Sequence, residues 1–249
     1  MFRRTSHDRA ILVVALPAFG ALIAEPIYVL TDTAIVGHIS TEALAGLAVA
    51  AAILLTVFSM LIFLAYGTTG IVGRLLGSGQ HREAAAQGIQ AVWLAIFSGA
   101  VATVGIAIFS GALVDLFEPS ALVHKEALTY LRISLVGLVG QLIVMSGTGY
   151  LRGLQDTRTP LMVALVGALI NLGLELVLVF IFDLGIAGSA WSTVVAQWLC
   201  ALAYLAVISR ASQKLKASVR PDFQRLFRYA RVGFHLFVRT SALRASFLL

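Results

Sequence analysis

Six long apolar runs restrict the fold of this chain more than any other feature: residues 10–37, 43–73, 84–114, 127–151, 159–182 and 184–209. Each exceeds the ~20 residues that a helix needs to cross a bilayer. A transmembrane β-barrel would instead show ~10-residue strands of alternating polarity, and these runs have no period of two. The expected fold is an all-α integral membrane protein with a six-helix transmembrane lobe. A seventh run, residues 232–249, carries Arg239 and Arg244 and reads as a partial, truncated helix. Composition agrees, because a chain with 59% hydrophobic and 12% charged residues cannot enclose its apolar surface in one soluble core. Arg3 and Arg4 ahead of the first run resemble the start of a signal peptide. That run is too long for one and contains Pro17, Glu25, Pro26 and Asp32, so it reads as the first span.

Positive charge follows the loops. Fourteen of the 18 Lys and Arg residues lie before span one or after spans two, four and six, and the opposite loops hold only Lys125. The positive-inside bias therefore places the N-terminus in the cytoplasm, with the chain multi-pass in the plasma (inner) membrane. Residues 210–231 read as a basic cytoplasmic linker between two membrane units, not as a nucleic-acid patch, and Pro221 suits a linker. The expected organisation is residues 1–209 as the lobe, 210–231 as the linker and 232–249 as the opening of a second lobe. The single cysteine, Cys200, falls within span six and permits no intramolecular disulfide.

Within this topology two acids stand out. Asp32 lies about five residues from the outer end of span one, and Glu175 about seven from the outer end of span five, so at ~1.5 Å per residue they are nearly level. An ionisable group in hydrocarbon costs ~2.5–3.5 kcal/mol on insertion scales, which makes such a group a functional candidate by default. Tyr130 in the first turn of span four and Thr193 in span six reach the same layer. Helical spacing adds Asn171, four residues before Glu175, and the stripe Glu25, Tyr28 and Asp32 on span one. Span four presents Tyr130, Ser134, Gly137, Gln141 and Thr148 along one side, and span six presents Ser189, Thr193, Gln197 and Cys200. Small and hydroxylic residues also serve as helix glue, the plainer reading for Ser134, Ser189 and the glycines. The acids have no such plain reading. No intramembrane cation is level with them except Arg132, which is near enough to the surface to snorkel, so each needs a proton or a bound cation. Pro17 and Pro26 each remove a backbone hydrogen bond from span one and mark it as a hinge.

These segments resemble a known family. Pro17 to Leu47 with LTDTAIVGHISTEALAGL, then GRLLGSGQHREAA from Gly73, RGLQDTRTP from Arg152 and LGIAGSAWSTVVAQ from Leu184 resemble the multidrug and toxic compound extrusion (MATE) family, nearest its DinF-like branch. The resemblance covers almost the whole chain. It implies a twelve-helix antiporter of two six-helix lobes that expels small organic, often cationic, substrates in exchange for H+ or Na+, with no cofactor. It also implies roles for Asp32, Tyr130, Asn171 and Thr193 in ion coupling and for Pro17 as the bend. Glu175 stands where the family pattern has aspartate, and Met145 and Thr148 stand where related chains carry asparagines. The chain stops inside span seven, so the resemblance further implies a missing C-terminal lobe as partner.

Rival classes fit less well. A membrane aspartyl protease requires two aspartates with a glycine motif, and Glu175 lies in LGLELVLV. The histidines His7, His38, His81, His124 and His235 are dispersed without metal-ligand spacing, and no phosphate loop supports ATP-driven export. A lipid or polysaccharide flippase of the same architecture calls for a cationic cavity, whereas this one is acidic. A non-transporting remnant is the remaining alternative.

Overall fold

The long apolar runs form helices in the computed structural model, which describes residues 19, 20, 23, 26, 27, 29–223 and 226. Pro17, Glu25, Tyr28 and the seventh run lie outside the described residues, and Pro26 is helical and exposed. Helix α1 is continuous over residues 29–37, and α2 (Thr41–Met60), α3 (Phe63–Gly77), α4 (His81–Asp115), α5 (Ala121–Gly153), α6 (Arg158–Leu176) and α7 (Gly185–Lys214) follow. Among the described residues five segments are long and apolar enough to cross a membrane: Thr41–Gly77, His81–Asp115, Ala121–Gly153, Arg158–Ile181 and Gly185–Lys214. Large apolar side chains cover the periphery, with Val101 75%, Ile108 70% and Leu169 68% exposed. Such a surface has lipid as its solvent, and helices satisfy their own backbone there.

Turn chemistry explains two of the motifs quoted above. Gly79 takes a φ of 74° in the GSGQ turn between α3 and α4, a left-handed conformation that suits glycine. In QDTRTP, Asp156 accepts from the backbone N–H groups of Arg158 and Thr159 at 3.1 and 3.0 Å and from the Thr159 hydroxyl at 2.6 Å. It therefore caps the free donors at the start of α6.

The run read as span two is broken. Helix α2 ends at Met60 and α3 starts at Phe63. The Thr56 hydroxyl donates to the Ala52 carbonyl at 2.8 Å and the Ser59 hydroxyl to the Thr56 carbonyl at 2.7 Å, side-chain bonds that compete with the helical ladder and bend it. Beyond them Leu64 bonds to Leu61 in the tighter i→i−3 pattern. Span five also departs from a plain α-helix, closing with a π-turn at Val177–Ile181. Gly188 of α7 lies against this turn, where a Cβ would stand 2.9 Å from the Leu178 carbonyl carbon. Helix α7 runs on to Lys214, so the first residues of the stretch read as linker are helical.

The bundle is organised around α5, which packs on α2, α3, α4 and α7, while α6 and its π-turn pack chiefly on α7. At one end of the bundle, Val36, Leu47, Tyr130, Ile186 and Ala190 form an apolar cluster. At the other, Val72, Tyr150, Tyr204 and Ile208 form a second. Arg74, Arg82, Arg152, Arg158, Arg210 and Lys214 gather at this second, basic end. Helices α3 and α5 approach most closely there: a Cβ at Gly149 would lie 2.3 Å from the Ala65 carbonyl oxygen, and one at Gly153 2.7 Å from Val72 Cβ. The Thr69 hydroxyl donates across the same seam to the Gly149 carbonyl at 3.0 Å.

Candidate functional site

Three helices bring polar side chains together at the end opposite the basic one. Asp32 on α1 is 8% exposed and Glu175 on α6 is fully enclosed. The Ser189 hydroxyl of α7 donates to Asp32 Oδ1 at 2.8 Å. The Asp32 carboxyl lies within interaction range of Glu175, yet neither Glu175 oxygen meets it, or any other described group, with hydrogen-bond geometry. One turn earlier on α6, Asn171 Nδ2 donates to the hydroxyls of Ser192 and Thr193, both at 3.2 Å. Ser192 in turn donates to the Ser189 carbonyl at 2.7 Å, tying this amide to the residue that holds Asp32.

No Lys or Arg pairs with either acid among the described residues; the ion pair found there joins His124 and Asp115 at 3.1 Å, near one end of the bundle. Arg132 is exposed. Two unit charges ~4 Å apart at an effective dielectric near 20 repel by about 4 kcal/mol, so two bare carboxylates in this enclosure require a proton or a cation between them. Acceptors for either are present. Besides the Glu175 oxygens, the buried Ser134 Oγ and Gln197 Oε1 lack hydrogen-bond partners among the described residues. Buried acceptors of this kind are normally paired. Gln197 lies against α5 at Gly137, where a Cβ would stand 2.0 Å from its Oε1.

Of the residues singled out in the sequence, the structure joins Asp32, Glu175, Asn171 and Thr193 around Ser189 and Ser192. Tyr130 is buried beside them in the cluster with Val36 and Ala190. Gln141 is half-buried on α5, two turns beyond Ser134. Glu25 and Tyr28 lie outside the described residues. Ser189 acts on an acid directly rather than as helix glue, and Ser192 was missed, although its place three residues after Ser189 on the same stripe was the signal. Thr148 donates to the Tyr204 hydroxyl at 2.8 Å, a crossing bond toward the basic end. Ser189→Ala is expected to lower unfolding stability by about 1.5–3 kcal/mol, the range for a hydrogen bond to a charged group, measured by denaturant titration in detergent.

The described residues thus form a multi-pass helical membrane lobe with two acids buried together between its helices. Residues 17–177 match the MatE family, and the chain belongs to it. It is 29% identical over 230 residues to DNA damage-inducible protein F of Escherichia coli, covering 89% of this chain and 50% of that protein. It is 28% identical to the probable multidrug resistance protein NorM of Thermotoga maritima, covering 91% and 50%. The fold matches a MATE family transporter of the MOP superfamily in an outward-facing conformation, with TM-score 0.85 at 19% identity over 96% of this chain and 54% of that one. A MOP superfamily transporter from Pyrococcus furiosus, described as having a binding pocket of reversed polarity, matches with TM-score 0.82 at 18% identity over 96% and 54%. The chain thus spans about half the length of the relatives it matches.

Proposed function

We propose that this chain supplies the N-terminal lobe of an antiporter that exports small organic, often cationic, compounds against an inward flow of H+ or Na+. The buried Asp32–Glu175 pair, without a cationic partner among the described residues, carries this reading. Asp32 and Glu175 take the ion, Asn171 and Thr193 hold the α6–α7 side of the site in register through Ser192, and Tyr130 closes it toward α5. Two acids enclosed near each other with no cation among the described residues favour a proton, because one proton relieves their repulsion without further ligands. Loading then alters how α1 sits against α7, since the Asp32–Ser189 bond joins those helices. Pro17 and Pro26 supply the bend.

Residues 1–209 form the lobe, 210–231 the connecting linker and 232–249 the first part of a second lobe. Substrate passes between the two lobes, as in transporters whose sites lie at a repeat interface. The charge bias supports an N-terminus in the cytoplasm and insertion in the plasma membrane. The test joins this chain to a second lobe in proteoliposomes and measures efflux of a panel of cationic dyes under a proton gradient and, separately, a sodium gradient. Dye movement under one gradient and not the other identifies the ion. Indifference to both removes antiport.

A further inference from the structure

The α-helical ladder of α6 gives way to the π-turn at Val177, two residues after Glu175. There the Phe182 N–H donates to the Val177 carbonyl at 3.0 Å, in the i→i−5 pattern, and the Leu178 carbonyl accepts instead from the Leu184 N–H at 3.1 Å. An α-turn would have paired Phe182 with Leu178. The Leu178 carbonyl is thus pinned from outside the helix, and Phe182, Asp183 and Leu184 complete the reversal into α7. Asp183 and Gly185 take left-handed φ values of 53° and 56° to make it. Single π-turns within α-helices occur frequently at functional sites, and this one adjoins a buried acid.

The widened turn meets α7 at Gly188, which is buried. A Cβ there would stand 2.9 Å from the Leu178 carbonyl carbon, 3.0 Å from its oxygen and 3.1 Å from the Val179 nitrogen. All three are backbone atoms, so no change of rotamer makes room. Leu178 follows Glu175 by three residues on the same side of α6, and Gly188 directly precedes Ser189, whose hydroxyl holds Asp32 at 2.8 Å. The contact therefore lies ~4.5 Å along α6 from one acid and next in the chain to the residue that holds the other. A second close approach of α6 to α7, Gly167 against Cys200 Sγ, lies two turns inward of Glu175 and ends in a side chain that can turn aside. Among the described residues, Asp32 of α1, Glu175 of α6 and Tyr130 of α5 are the titratable groups buried in this layer. Helix α7 presents hydroxyls there, Glu126 of α5 is half-buried, and Arg132 and Asp183 are exposed.

We propose that Gly188 is a positioning residue for the ion site: its bare backbone lets the π-turn close on α7, and that contact sets how near Glu175 stands to Asp32. This rests on the reading of the two acids as the ion site. Infrared difference spectroscopy of the full 249-residue chain in detergent follows the carbonyl band of protonated carboxyl groups against pH, with Asp32→Asn and Glu175→Gln identifying the pair's share. Gly188→Ala forces α6 off α7, and weaker repulsion between the acids makes the proton easier to lose. The titration midpoint is expected to fall by about half a pH unit, the effect of moving two charges from ~4 to ~5 Å apart at an effective dielectric near 20. Deleting the exposed Phe180 returns the π-turn to an α-turn, withdraws the Leu178 backbone from Gly188 and should lower the midpoint comparably with no atom added to α7. Gly185→Ala strains the same hairpin at its left-handed φ but meets nothing within 4 Å, so it should unfold at lower temperature with the midpoint unmoved. Gly173→Ala, also in open space, should alter neither. An unmoved midpoint in Gly188→Ala or in the Phe180 deletion overturns the positioning role and leaves the ion site standing. An equal shift in Gly185→Ala overturns it as general loosening, and failure of both site variants to fold reduces the contact to scaffold. A pair that does not titrate in the unaltered chain overturns the proton reading of the ion site, and this inference with it.

Discussion

Replacing Glu175 by Gln, in a transporter that joins this lobe to a second one, is expected to reduce ion-driven efflux to the uncoupled leak while the protein remains folded. The amide keeps the shape but neither takes up a proton nor carries charge, so the ion loses its differential affinity for the two states of the carrier. Inverting a two-state equilibrium from 1:99 to 99:1 draws about 5.5 kcal/mol, and a site without its titrating group has no such reserve. Glu175→Leu makes the same point from stability. The fully enclosed carboxyl has two oxygens with no hydrogen-bond partner among the described residues, and removing them is expected to raise unfolding free energy by about 1–3 kcal/mol. A more stable lobe that no longer couples is the outcome of exchanging function for packing. Proteoliposome efflux and denaturant titration on the same two variants check both halves. Coupled efflux retained by Glu175→Gln and by Asp32→Asn removes the pair from the mechanism.

Gly149→Ala should be the most damaging small change in the scaffold. The added methyl would sit 2.3 Å from the Ala65 carbonyl oxygen and 3.0 Å from its carbon, and these are backbone atoms that cannot rotate aside. Helix α3 must move off α5, breaking the Thr69 bond to the Gly149 carbonyl. Overpacking of this kind costs about 1–3 kcal/mol, and the lost bond adds to it. Gly70→Ala, in the same helix as Ala65 but with nothing within 4 Å of its Cβ, provides the control and is expected to gain about 0.5–1 kcal/mol. Thermal unfolding in one detergent separates the two. Similar midpoints for both variants would show that the α3–α5 seam yields.

Helices were legible because lipid removes alternatives: backbone groups in hydrocarbon must bond within their own segment, so run length alone fixes the element. Asp32 and Glu175 were legible for the same reason, as exceptions to an apolar rule. Their neighbours were harder. Ser192 and Ser189 look like the many hydroxyls that bond back to their own helix, as those of Thr31, Thr33 and Ser98 do. Only the packing of α7 against α1 and α6 shows that Ser189 reaches Asp32 and that Ser192, while bonding back to the Ser189 carbonyl, also accepts from Asn171. The break in span two was hidden because it involves neither Pro nor Gly; the side-chain bonds of Thr56 and Ser59 that precede it have no weight in a hydropathy profile. The docked path of residues 216–223 was equally hidden. It depends on Gln90 and Trp93, some 130 positions away in the chain, finding backbone atoms of a stretch that reads by composition as a loose connector.

The interruption at Leu61 and Ile62 gives one membrane crossing two mechanical parts. Helix α3 is riveted to α5 by interlocked backbone, whereas α2 meets α5 through its own seam at Gly46, some 20 residues away. A load applied to one segment therefore reaches the other along the chain through a two-residue joint, and otherwise by way of α5. The two segments of this single pass can thus take different tilts beside the unbroken α4, α5 and α7, like a pole jointed at mid-height.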